Sequence, residues 1–247
     1  MVDEELSADT ELTPEEKKSA RLWHRRVDIV VVLLLGLGSV LATWAGYQAG
    51  QWSELKAESA ILVEDLKQAA DRSVILGYQD RQLDVSLFMA WLEAHMHQDT
   101  QIAEFYEKRF VAHFRPAFDA WIATDPFNNP EAPLDPFRMP EYTVPALQDA
   151  ASFNAQAAQI SKVGEEFRFY ADAYVFLTVL VAVVLFIGGV ATKAGSQNAQ
   201  IALLVLAWVM LGFCIVRAST LPNAGAALPA TAEIQILQAA QQATPVR

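Results

Sequence analysis

Two histidines two residues apart, His95 and His97 in LEAHMHQD, are the first candidates for chemistry in this chain. A separation of two turns them to different helix faces. Glu93 with His97, and His95 with Asp99, have the i, i+4 separation that puts two side chains on one face. Either pair could lend ligands to a metal, but two fall short of the four that close a structural zinc site. A solvated helix end is the simpler expectation, and no metal or other cofactor is expected. Glu64 with Asp65, and Glu165 with Glu166, are adjacent carboxylates suited to solvating exposed faces. The sequence has no G-x-S-x-G, no H-E-x-x-H and no Gly-rich phosphate loop. No catalytic residue is assigned, and the expectation is a protein that is not an enzyme.

The densest stretch is FYEKRFVAHFRPAFDAW, residues 105 to 121, where aromatic, basic and acidic side chains crowd together. With Ile102, its aromatics Phe105, Tyr106, Phe110, Phe114, Phe118 and Trp121 recur at spacings of one, three and four, which is helical periodicity. Leu83, Leu87 and Trp91 recur every four residues, beside a second row of Val85, Phe88 and Leu92. Trp91, Phe105, Phe110, Phe114, Phe118 and Trp121 are therefore expected in the core of a helical domain. Glu107, Lys108, Arg109 and Asp119 fall mostly between them, on a wet face.

The elements holding this stretch follow from hydropathy. Three apolar runs reach or approach the roughly 20 residues that cross a bilayer: IVVVLLLGLGSVLATWAGY, YVFLTVLVAVVLFIGGVA and IALLVLAWVMLGFCIV. They set the expected division of the 247 residues. A cytoplasmic tail covers 1–27, and the first transmembrane helix 28–48. An extracytoplasmic helical domain covers 49–171, and the second transmembrane helix 172–192. A cytoplasmic turn at 193–198 leads to the third transmembrane helix, 199–219, and an extracytoplasmic Ala/Gln-rich tail, 220–247. KKSARLWHRR at 17–26 abuts the first run with five basic residues, so the positive-inside rule places the N-terminus in the cytoplasm and the C-terminus outside. The alternative for the first run is a cleaved signal peptide with TWA before Gly46 as its cleavage site. Its length and the acidic segment before it favour an uncleaved anchor.

The net charge is −11, and 49–171 holds 19 acidic against 10 basic residues. Such a domain repels phosphates, so nucleic acid is excluded as a partner. The one cysteine, Cys214, lies in the third run, where it packs as a small hydrophobe.

The external part is expected as four helices, at about 49–73, 75–97, 99–123 and 146–171, in an up-down-up-down bundle. Asp99 is the expected N-cap of the third and Pro116 its kink or restart. Between the third and fourth lies a loop at 124–145 with six prolines. Phe127, Phe137 and Tyr142 argue that the loop lies over the bundle; a flexible linker is the alternative. Thr13 and Pro14 form a helix-start signal, and a weak helix is expected near 231–242. The fold class is thus an all-α membrane protein: three transmembrane helices with a four-helix-bundle-like domain between the first and second.

FYEKRFVAHFRPAFDAW, the NP, PF and MPEY elements at 129 to 142, and ATWAGYQAGQW at 42 to 52 together resemble an uncharacterised family of bacterial multi-pass inner-membrane proteins. The resemblance covers most of the chain from about 40 to 190. It implies a multi-pass protein of the bacterial inner membrane with a helical external domain, and it assigns no chemistry to any residue.

In the first run Gly38, Ala42, Gly46 and Gly50 recur every four residues, the small-xxx-small pattern that lets helices approach closely in lipid. These four are expected to pack, and Leu34 to face lipid. Beyond the lipid bilayer, the expected partner is a second copy or another membrane protein. Three functions remain open. The external domain is an interaction or assembly module in a homo-oligomer or membrane complex, a sensor signalling through a partner, or part of an oligomeric channel.

Overall fold

The computed structural model describes residues 14–227, whose regular elements are all helical, with no strand among the described residues. They form α1 (Pro14–Met96), α2 (Thr100–Glu107), α3 (Arg115–Ile122), α4 (Pro145–Ala191) and α5 (Gln197–Thr220). Short 3-10 turns lie at Pro136–Arg138 and Ala224–Ala227. The helices α1, α4 and α5 are long and apolar enough to cross a membrane, with mean hydropathy of 2.2, 2.6 and 2.5 over their most apolar stretches. The helix start at Pro14 agrees with a proline at the first helical position. Thr13 and the segment 231–242 lie outside the described residues.

The expected division of 49–97 into two helices is not observed. Ser73, Val74 and Ile75 lie inside α1, which runs unbroken to Met96. The segment carries no proline, and its glycine at 77 serves packing rather than a turn. A Cβ there would stand 2.6 Å from Leu147 Cδ2 and 3.2 Å from the Leu147 backbone nitrogen. The expected third helix, 99–123, is two short ones, α2 and α3, with Pro116 in the first turn of the second. The four separate helices expected of an up-down-up-down bundle are therefore not observed.

The turn out of α1 is specified locally. Asp99 N–H donates to Ala94 O at 2.9 Å and Gln98 N–H to His95 O at 3.0 Å. This paired closure uses a left-handed residue, here Gln98 with φ 61°. Asp99 then accepts a hydrogen bond from Ile102 N at 3.1 Å and caps α2.

The chain divides into two compact units, residues 1–56 with 165–247, and residues 57–164. In the first, buried positions recur at alternating steps of four and three. On α1 they are Val27, Val31, Leu34, Gly38, Ala45 and Trp52, and on α5 Leu204, Ala207, Leu211, Cys214 and Ala218. This 3.5-residue repeat keeps one stripe facing its partners along a supercoil. Leu34, Val184, Ala207 and Leu211 meet as one cluster of three helices. The remaining faces of the three helices expose Val32, Val40, Phe176, Phe186, Val205 and Val209 among others, as lipid-facing surfaces do.

In this unit α1 and α4 approach through a reciprocal exchange. A Cβ at Gly38 would stand 2.7 Å from Leu185 Cδ2 on α4, and a Cβ at Gly188 would stand 2.6 Å from Leu34 Cδ2 on α1. Each leucine occupies the space its opposite glycine leaves. Within one chain only part of the expected small-residue stripe is used. Gly38 is in it and Ala42 is half-buried, but Gly46 and Gly50 have nothing within 4 Å of an added Cβ. Leu34, expected to face lipid, is fully buried. Residues four apart turn by about 40° per step on a helix of 3.6 residues per turn, whereas the buried row of α1 follows the 3.5 repeat, so Gly46 and Gly50 drift off the contact face.

The first unit also ties down the segment after α5. Gln48, 7% exposed, accepts from Ala224 N at 3.0 Å through Oε1, and its Nε2 reaches Asn223 Oδ1 at 3.5 Å. The hydroxyl of the fully buried Tyr174 donates to Pro222 O at 3.2 Å.

Gly38→Leu or Gly188→Leu should overpack the α1–α4 contact and lower stability by about 1–3 kcal/mol. Leu34→Ala should cost about 2–5 kcal/mol through the cavity it leaves. Gly46→Leu should stay close to wild type. Thermal unfolding of the full chain in mild detergent ranks the four, and a Gly46→Leu loss equal to that of Gly38→Leu would contradict the seam.

Candidate functional site: an aromatic cluster around a buried carboxylate

In the second unit the amphipathic end of α1 supplies Phe88, Trp91 and Ala94 to a cluster completed by Ala103, Phe110, Phe114, Phe118 and Trp121. Phe88 meets Trp121 edge to face at 5.3 Å, Trp91 meets Phe118 at 4.7 Å, and Phe110 meets Phe114 at 5.0 Å. Such pairs contribute roughly 0.5–1.5 kcal/mol each beyond burial. The short helices can hold this packing because their connection is braced: Arg115 Nη1 donates to Glu107 O at 2.7 Å.

The proline-rich segment 124–145 closes over the cluster. Phe137 stacks on Phe114 at 5.2 Å, Phe127 meets Trp121 at 5.8 Å, and Trp121 Nε1 donates to Pro133 O at 2.8 Å. Prolines suit this role because they give an irregular segment a restricted backbone and remove N–H groups that would need partners.

At the edge of the cluster sits one buried carboxylate, Asp84 of α1, 1% exposed. Its Oδ2 lies 2.8 Å from His113 Nε2, in the α2–α3 connection, and accepts from the Tyr142 hydroxyl at 2.9 Å. An ionised carboxylate only accepts, so His113 presents Nε2–H to it. Burial pushes the Tyr142 phenol well above the usual tyrosine range, and the hydrogen bond to Asp84 and its negative charge add to that, with Asp80; the Arg81 charge acts the other way. The phenol is thus held protonated, as the donor that a buried carboxylate needs.

A His–Asp pair at this distance is also two-thirds of a Ser–His–Asp arrangement. The third place is taken by a tyrosine bonded to the aspartate rather than to the imidazole. Tyr142 therefore hands no proton to His113, and the arrangement works as a three-way tie between α1, the connection and the proline-rich segment.

His95 and His97 do not come together as ligands. The His95 ring stacks between Trp91 at 4.9 Å and Phe127 at 4.8 Å. Among the described residues no group of three or more His, Cys, Asp or Glu side chains could hold a metal ion. Of the residues expected in the core, Trp91, Phe110, Phe114, Phe118 and Trp121 are buried. Phe105 is not: it is 49% exposed, beneath the Arg109 guanidinium at 3.4 Å, and Ile102 and Leu83 are exposed with it. The break between α2 and α3 rotates the first turns of the stretch away from the stripe that one continuous helix would have made. Sequence reasoning missed Asp84. Its signal was position, a carboxylate midway between Gly77 and Trp91 in the buried row of α1.

Comparison with family models, with curated proteins and with solved structures finds no match.

Tyr142→Phe should cost about 1–3 kcal/mol by depriving buried Asp84 of a donor. The raised phenol has a pH signature. The neutral form bonds Asp84, so its contribution is complete below the unfolded tyrosine value of about 10 and is lost as pH rises above it. Near-UV circular dichroism of thermal unfolding across the alkaline range, from about pH 8 to about pH 11, should show wild type losing stability more steeply than Tyr142→Phe. Parallel curves would mean that the phenol does not hold the carboxylate.

Proposed function

We propose that this chain is a non-enzymatic integral protein of the bacterial inner membrane, with residues 49–171 outside and the N-terminus in the cytoplasm, whose external domain is an assembly module in a homo-oligomer. The observation that carries this reading is a second apolar stripe on α1. Ile75, Tyr78, Val85, Met89 and Met96 are 57%, 61%, 38%, 56% and 66% exposed, and with Gln82 and the half-buried Leu92 they follow the steps of three and four of a helix seam. A solvated face has no reason to keep that repeat over three heptads; a facing helix of the same period does.

A second copy is the occupant that fits best. Leu76 and Leu83 flank the row and are also exposed. At roughly 200 Å² for each full side chain, these seven offer on the order of 700–800 Å² per copy, about what each partner gives a standard-size interface. Copies anchored in one membrane enter it in the same sense, so their α1 helices run parallel and like residues meet across a two-fold axis. Gln82 then faces Gln82, a polar pair at a core position of the kind that fixes register at some cost in stability.

The test is cysteine crosslinking in membranes in a Cys214→Ser background. Gln82→Cys should form a disulfide-linked dimer under mild oxidation, and Asn154→Cys, exposed on α4, should not. Val85→Glu with Met89→Glu should abolish the crosslink while helicity is kept. Equal linkage at 82 and 154 would overturn the reading. For topology, an impermeant thiol reagent applied to intact cells should label Pro130→Cys and spare Gly195→Cys; the reverse would invert the assignment.

A further inference from the structure

In the first unit a cavity of about 510 Å³ opens between the N-terminal part of α1 and α5, lined by Trp23, Arg26, Val30, Ile201, Val205 and Trp208 among others. We infer that it seats one acidic phospholipid, an acyl chain lying against the valines and Ile201 with the headgroup phosphate on Arg26. The inference rests on the membrane location proposed above and adds the ligand.

Three independent observations point the same way. The volume lies within the range of about 300–1,000 Å³ typical of ligand sites, and the lining residues are apolar but for Arg26. Val30, Ile201, Val205 and Val209 are 37%, 39%, 58% and 65% exposed on helices long and apolar enough to span a bilayer. Hydrocarbon, not a water-soluble molecule, matches such walls. The two tryptophan rings supply the second observation. Trp23 Nε1 and Trp208 Nε1 are both buried with no hydrogen-bond partner. A buried donor without an acceptor is costly, and beside Trp23, at the end of the first span, the ester and phosphate oxygens of a phospholipid are acceptors at the depth where tryptophans favour the interface.

The third observation is charge. No salt bridge pairs Arg26 with a carboxylate among the described residues, and the positions one turn away, Leu22, Trp23, Ile29 and Val30, offer none. Arg25 is adjacent and Lys17, Lys18 and Arg21 precede it in sequence. Basic pockets at the ends of membrane helices select anionic headgroups. A zwitterionic lipid would bring its own cation to a site that already holds Arg26.

The experiment is native mass spectrometry of the full chain purified in mild detergent and titrated with phosphatidylglycerol or phosphatidylcholine of identical chains. Wild type should retain one phosphatidylglycerol in preference to phosphatidylcholine. Arg26→Gln should reduce that preference about fivefold, the effect of one basic residue at an anionic surface, and Arg26→Lys should largely restore it. Val205→Trp, which fills the cavity, should lower retention of both lipids while circular dichroism stays helical. Equal retention of the two lipids by wild type, or preference unchanged in Arg26→Gln, would overturn the proposal and leave only annular contact. A chain that stays monodisperse in buffer without detergent would instead overturn the membrane reading beneath it.

Discussion

The fold rests on two helices approaching so closely that a leucine on each fits where the other has no side chain. In lipid no hydrophobic gain draws helices together, so the Leu34–Gly188 and Leu185–Gly38 exchange must act through dispersion at short range. It also fixes register, because sliding α1 past α4 by one turn would set leucine against leucine. The 3.5-residue repeat of buried positions then carries the same facing residues along the helix, and α5 joins through Ala207 and Leu211.

The second unit meets a different constraint. A helix end in water exposes its last carbonyls and its apolar stripe, and both need covering. The turn at Gln98 and Asp99 satisfies the carbonyls, and the aromatic cluster beneath the proline-rich segment covers the stripe. Asp84 adds specificity to that cover. Aromatic rings tolerate many arrangements of nearly equal energy, whereas a buried carboxylate with two donors accepts few. His113 and Tyr142 come from separate segments, so only one placement of both satisfies it.

The three span-length helices were legible in the sequence because a long uncharged run leaves no room for the polar face that a water-exposed helix carries. The aromatic core was legible from spacing even where no single helix carries it: Phe118 and Trp121 stand on α3, Phe110 and Phe114 on the connection before it, and all four are buried together. Phe105 misled because periodicity assumes a continuous helix, and the chain breaks between α2 and α3. The missing break at 73–75 misled in the opposite sense, since a lone glycine reads equally as a turn or as a contact, and only Leu147 decides which. Gly46 and Gly50 take no part in the contact within one chain, because residues four apart drift away from a seam of period 3.5. Periodicity could place Asp84 in the buried row of α1 but not name its partners, which lie 29 and 58 residues further along.

The buried Gln48 has a consequence for biosynthesis. Its amide bonds Ala224, 176 residues later, so a chain made from the N-terminus carries that group without its partner until synthesis has passed α5. Until then the first helix holds an unsatisfied amide, at a cost of roughly 1–3 kcal/mol. Completion of α5 is thereby coupled to the seating of α1. A nascent chain halted before Leu221 should be recognisably unfinished to cellular proteolysis, visible as a shorter half-life than that of the full-length protein.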